Sequence, residues 1–163
     1  MKTSIILLVL IVCGISGLKA CTFFQQFDKT TFYQILKSGG IKEIDNEISL
    51  INSSGLKNKD AFIGALQMKK ADLLKVPKEK LKTFKEGATK LETVLRSDTS
   101  NVEFRFLRLI IQEHAPKVTK YNKNIAEDAA FIKTNYKKLS TDVQKILIDY
   151  SQTSKAIKPT DFS

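Results

Sequence analysis

The 163-residue chain has no tryptophan, one histidine, two cysteines, three prolines and seven glycines. Each scarcity removes a class of chemistry or of fold. His114 is the single imidazole, so a nucleophile-histidine pair has to use it. A conventional zinc site needs several His or Cys ligands, and neither an HExxH nor a CxxC pattern occurs. The GxSxG elbow, the GxxxxGK[ST] phosphate loop and the GxGxxG dinucleotide fingerprint are also missing. No metal and no cofactor is expected, no catalytic residue is assigned, and the reading leans away from an enzyme. Few glycines and prolines leave little material for tight turns, which disfavours a β-rich fold. Apolar runs long enough for a membrane span, about 20 residues, are lacking as well.

The longest apolar run is short and lies near the start. Met1-Lys2 precedes an apolar stretch from Ile5 to Val12, and small residues follow as far as Leu18-Lys19-Ala20. This is the layout of a secretory signal over residues 1–20, with cleavage after Ala20 or after Gly17. The expected location is therefore periplasmic or secreted. Leu18-Lys19-Ala20-Cys21 resembles a bacterial lipobox, in which Cys21 would carry lipid. Lys19 departs from the small or apolar residue such a motif uses, which favours a soluble product over a lipid-anchored one. A membrane partner is expected only if Cys21 is lipidated. Removing the signal leaves Cys21 as the single cysteine and excludes an intramolecular disulfide.

What is abundant is lysine, leucine, isoleucine, alanine and glutamate. The chain carries a formal charge of +10, and loss of Lys2 and Lys19 leaves 25 basic against 17 acidic residues, or +8. Of the 27 basic residues 24 are lysines, interspersed with Asp and Glu along the chain, without the arginine clusters or aromatic platforms of a nucleic-acid site. No nucleic-acid partner is expected; attraction to acidic envelope polymers stays open.

Apolar spacing predicts an all-α domain of about seven helices over 28–155. A flexible N-terminus at 21–27 precedes it, and a polar tail at 156–163 follows. Asp28 caps a helix to about 37, and Ser38-Gly39-Gly40 ends it. Ile41, Ile44, Ile48 and Ile51 share one face of the second helix. The third spans about 59–75, where Gly64-Ala65 offers a slim patch for close helix approach. Pro77 opens the fourth, with Leu81, Phe84, Ala88, Leu91 and Leu95 as its inward stripe. The fifth, about 101–113, is apolar nearly all round and is placed at the centre of the core. Pro116 stops it and starts the sixth, in which Val118, Tyr121, Ile125, Ala129, Ile132 and Tyr136 recur at helical steps. The last begins at Ser140-Thr141-Asp142. Short loops predict antiparallel hairpins, arranged as a bundle or a short superhelix.

Residues 84–101 resemble the second helix and exit turn of a tetratricopeptide repeat. Leu91, Val94, Leu95, Asp98 and Asn101 stand at its patterned positions, while Thr99 replaces the usual Pro and Val94 the usual Ala. Gly64-Ala65 and Ala71 suit the first helix of such a hairpin, although the spacing is about a dozen residues too long and no second copy recurs at the family's period of about 34 residues. The resemblance implies a helical hairpin over about 60–101 and a binding surface rather than an enzyme.

One polar constellation stands out. All three arginines lie within 96–108, and Arg105 and Arg108 sit three apart on the most apolar helix. Desolvated guanidiniums need partners, because an unpaired buried charge costs several kcal/mol. They either bond carboxylates such as Glu103, Glu86, Glu92 or Asp128, or form a fork that binds a carboxylate or phosphate on a ligand. In the second case Tyr121, Asn122 and Asn124 add hydrogen bonds. Glu113-His114, beside Pro116, offers either a polar cleft or a cation at a helix C-terminus. The leading functional expectation is a non-enzymatic module for a protein or peptide partner. The alternatives are a small-ligand carrier or enzyme using the Arg105/Arg108 region, and a basic envelope-binding protein.

Overall fold

A computed structural model of the protein describes residues 26–162. Residues 1–20, read as an export signal, together with Cys21 and the other residues before Gln26, lie outside that range. The described residues form α1 (Lys29–Ser38), α2 (Ile41–Ser53), α3 (Lys59–Leu73), α4 (Pro77–Ser97), α5 (Val102–His114), α6 (Ile125–Asn135) and α7 (Thr141–Ser151). Single 3-10 turns occupy Lys117–Thr119, Tyr136–Lys138 and Pro159–Phe162. Among the described residues there is no strand, so the chain is all-α as its composition implies.

Local signals set most boundaries. Asp28 accepts hydrogen bonds from the Thr31 amide (2.7 Å) and hydroxyl (2.8 Å), which satisfies a donor of the first turn of α1. Pro77 occupies the first turn of α4, where its missing N–H costs nothing. Asn101 caps α5 through the Phe104 amide (3.2 Å) and also donates to Asp98 (3.0 Å), so one side chain ties the exit of α4 to the entry of α5.

The tightest pairing is between α3 and α4. A Cβ built on Gly64 would lie 2.5 Å from the Gly87 carbonyl oxygen, and one on Gly87 would meet the Gly64 carbonyl at the same distance. No side chain fits between the two backbones, which explains a glycine at each point of the crossing. Helix α5 packs against α3, α4 and α6 and forms the centre, with Phe106, Leu107 and Leu109 fully buried. Helix α7 reaches back to α1. The first and last helices therefore meet, and the arrangement closes on itself as a bundle.

Four expectations need correction. Helix α6 starts at Ile125, not at Pro116. Lys117–Thr119 makes one turn, and Lys120 then adopts a left-handed backbone (φ 53°) that cannot continue a helix. Val118 is 85% exposed there. The tail beyond Lys155 is anchored: Ile157 and Phe162 are buried, and Tyr136 donates to the Phe162 carbonyl at 2.7 Å. Within the segment read as a flexible N-terminus, Phe27 packs edge-on against Phe62 (ring centroids 5.3 Å) and near Phe32 (5.9 Å). Finally, Ile41 and Leu81, assigned to inward stripes, are exposed, Leu81 to 47%.

Candidate functional site

The polar residues singled out from the sequence fall in two places. Arg105, Arg108, Tyr121 and Asn124 come together where α4, α5 and the entry to α6 converge. Asp128, in the first turn of α6, is wholly inaccessible to solvent and takes both guanidiniums. Arg108 grips it bidentately, Nε to Oδ2 and Nη2 to Oδ1, each at 2.7 Å, while its Nη1 reaches Glu92 at 3.1 Å. Arg105 Nη1 donates to Asp128 (3.0 Å) and Glu127 (2.8 Å), and its Nε to the Thr99 carbonyl (2.9 Å). Its guanidinium also lies 4.3 Å from the centre of the Phe131 ring.

The remaining members close the network. The Tyr121 hydroxyl donates to Glu92 at 2.6 Å, and the Asn124 amide to Glu127 at 3.0 Å. Burial would depress the Arg108 pKa, but Asp128 and then Glu92 outweigh it and hold the guanidinium firmly charged. Burial, reinforced by Glu92, pushes the Tyr121 hydroxyl up and keeps it a donor. Three carboxylates thus absorb two guanidiniums, a phenol and an amide. The cluster joins α4, α5 and α6 and turns its hydrogen-bonding capacity inward. Of the carboxylates expected from sequence, Glu92 and Asp128 take part. Glu103 pairs instead with Lys29 (2.5 Å), and Glu86 lies 3.9 Å from Lys82. Glu127 is a partner that sequence reasoning missed.

His114 sits elsewhere. Its Nδ1 lies 2.8 Å from the Ile110 carbonyl oxygen of its own helix, so it closes the C-terminal turn of α5. Its neighbour Glu113 is fully engaged. Its carboxylate accepts from the Tyr150 hydroxyl (2.6 Å), the Ser154 hydroxyl (2.7 Å), and the amides of Lys155 (2.7 Å) and Ala156 (3.1 Å). Burial opposes its ionisation, but these four donors together hold its pKa below the usual glutamate value. Glu113 is thereby the anchor that docks the C-terminal segment. Nothing in the sequence 152–163 announced this, since two of the four donors are backbone amides.

His114 also borders a groove of about 710 Å³. That volume is in the usual range for ligand sites, roughly 300–1,000 Å³. Its apolar surface comes from α1 (Leu36), α3 (Met68), α4 (Leu81 and Phe84), α5 (Ile110) and α7 (Ile146). Pro116 and Val118, at the start of and within the 3-10 turn, form one lip, and the α3–α4 corner forms the other. Several of the polar groups around it are engaged within the protein: Lys37 with Asp149 (3.1 Å), the Lys80 ammonium with the Asp72 carbonyl (2.9 Å), and Tyr150 with Glu113.

Lysine distribution along the sequence concealed a spatial bias. Residues 69–82 and 116–120, the two lips, carry eight lysines against two acids, Asp72 and Glu79. The rest of the described chain holds seventeen basic and fifteen acidic residues, so most of its excess positive charge lies in these two segments. Of their charged residues Lys69, Asp72 and Lys80 line the groove itself, beside Lys37 and Asp149.

Among the described residues no group of His, Cys, Asp and Glu is suited to hold a metal ion, and no helix is long and apolar enough to cross a membrane. No protein-family model matches the chain, and neither a curated protein nor a solved structure is similar enough to count as a match.

Proposed function

We propose that the protein is an exported, non-enzymatic binding module that captures an amphipathic helix of a partner protein in the apolar groove. The groove itself carries this reading. It is open and lined by aliphatic and aromatic side chains, and the exposed Leu81 and Val118 stand on its lips. A small-ligand carrier needs convergent polar groups to orient its cargo. Here Lys37, Lys80 and Tyr150 are engaged within the protein. A helix presenting apolar side chains at i, i+3, i+4 and i+7 needs only such a trough. The resemblance of residues 84–101 to part of a tetratricopeptide repeat points the same way, by analogy alone. Export rests on the residues 1–20 pattern, and mass spectrometry of the mature N-terminus tests it: an intact Met1 would sink that part.

The binding reading is tested by selecting amphipathic helices on the immobilised protein and titrating a selected one calorimetrically. Leu81→Asp combined with Val118→Asp should abolish binding and leave the thermal midpoint unchanged, while Arg105→Met should still bind. Failure to select any helix, or undiminished binding by the Leu81/Val118 variant, contradicts the reading.

A further inference from the structure

We infer that the helix captured by the groove carries acidic residues on the face it turns to solvent, and that the lysines of the two lips recognise them. This deepens the reading above and rests on it. The argument is one of charge complementarity. Lys75 and Lys78, beside the lining residue Pro77, and Lys117 and Lys120, which flank the lining residues Val118 and Thr119, are exposed, and no ion pair joins any of them among the described residues. They alternate with exposed apolar residues: Val76 and Leu81 on the first lip, Val118 on the second. An occupant lying between the lips therefore meets apolar surface below and, on both sides, segments whose lysines outnumber the acids Asp72 and Glu79. Like charges placed there would be repelled, so lysine-faced helices are selected against as acidic ones are drawn in.

The groove's shape decides between a helix and a lipid bilayer, the other anionic partner that lysines and protruding apolar side chains could suit. A flat bilayer surface would touch Val118 and Leu81 but could not follow the trough down to Met68 and Phe84. Side chains projecting from a helix can. The left-handed Lys120, at the end of the Lys117–Thr119 turn, fixes the second lip where it stands and keeps Val118 raised above the floor.

The test is a displayed library of amphipathic helices with a fixed apolar face and each solvent-face position free among Glu, Gln and Lys. It is selected on the full mature protein. Enrichment of Glu is expected, and the selected peptide should bind about tenfold or more tighter than its lysine-faced counterpart. Its affinity should fall as ionic strength rises from about 0.1 M to about 1 M, where the screening length drops from roughly 10 Å to 3 Å. The combined variant Lys75→Glu, Lys78→Glu, Lys117→Glu and Lys120→Glu, whose changes are all at exposed positions, should reverse the preference with an unchanged melting curve. Enrichment of Gln or Lys, or no bias, overturns this inference while leaving the groove reading intact. No selectable helix removes both. Flotation of the protein with phosphatidylglycerol vesicles that the selected helix does not compete with would assign the lysines to a bilayer, and the inference would fall.

Discussion

The arginine cluster and the groove are opposites in how they use polar groups. At the junction of α4, α5 and α6, Asp128, Glu92 and Glu127 consume Arg105, Arg108, Tyr121 and Asn124. Along the groove the floor is apolar, and the unpaired cations stand outside on the lips. The richest chemistry in the sequence therefore holds the protein together, whereas the floor of the groove proposed for a partner is chemically plain. A concentration of arginine on an apolar helix is ambiguous in sequence, because a buried ion network and a ligand fork require the same residues. Only the position of the carboxylates distinguishes them, and Asp128 is twenty residues away from Arg108.

The contrast can be broken first at Arg108. Arg108→Met leaves Asp128 buried without its bidentate partner and should cost about 3–5 kcal/mol, read as a lower urea midpoint. Arg105→Met should cost less, about 1–3 kcal/mol, because Arg108 still satisfies Asp128. If Arg108→Met folds with full stability, the cluster is not the structural lock described above. Gly64→Ala probes the crossing that builds one wall of the groove. A methyl group 2.5 Å from a backbone oxygen must push α3 and α4 apart, costing about 1–3 kcal/mol.

Next in size is the Glu113 anchor. Its pKa is lower in the folded protein than in the unfolded chain. Its contribution to stability is therefore complete above the ordinary glutamate pKa, about 4.3, and is lost as pH falls through the lower folded value. Glu113→Gln should lose about 1–3 kcal/mol at neutral pH and flatten the acid limb of a stability-versus-pH curve. An unchanged acid limb contradicts the anchor. Glu47 has the opposite sign. It is 5% exposed with Oε1 unpartnered, and burial, then Asp28, raises its pKa. It favours folding below the ordinary glutamate pKa, and that benefit fades as pH rises through the raised value. Glu47→Gln should thus stabilise the protein at neutral pH, by about 1 kcal/mol. The smallest effect belongs to the lips: Leu81→Asp and Val118→Asp should each shift stability by no more than about 0.5 kcal/mol. A large loss there would mean these side chains are structural after all.

Much of the fold could be read from the chain because local chemistry agrees with the final packing. Asp28, Pro77 and Asn101 mark helix starts, and the isoleucine spacing of α2 follows a real face, with Ile44 and Ile51 buried. The misplaced start of α6 and the exposed stripe residues share one cause: periodicity records that a residue could face inward, not that a neighbour is there to cover it. Val118, Tyr121 and Ile125 keep helical spacing, yet Lys120 turns left-handed between them, and Tyr121 packs edge-on against Phe84 at 5.6 Å. Leu81 continues the stripe of Phe84 and Leu91 past the point where the core ends. The groove exists because those two segments stop short of each other. Its lysines looked evenly spread because 69–82 and 116–120 are far apart in sequence and adjoin only in space.

The central claim is that the partner surface is the groove and not the arginine cluster. Amide chemical-shift mapping with the selected acidic helix tests it most directly. The account predicts shifts confined to residues 68–84, 110–119 and 146–153, with those around Glu92, Arg105 and Asp128 unmoved. Perturbations centred on Arg105, Arg108 and 121–128 would contradict it and return the function to the guanidinium pair.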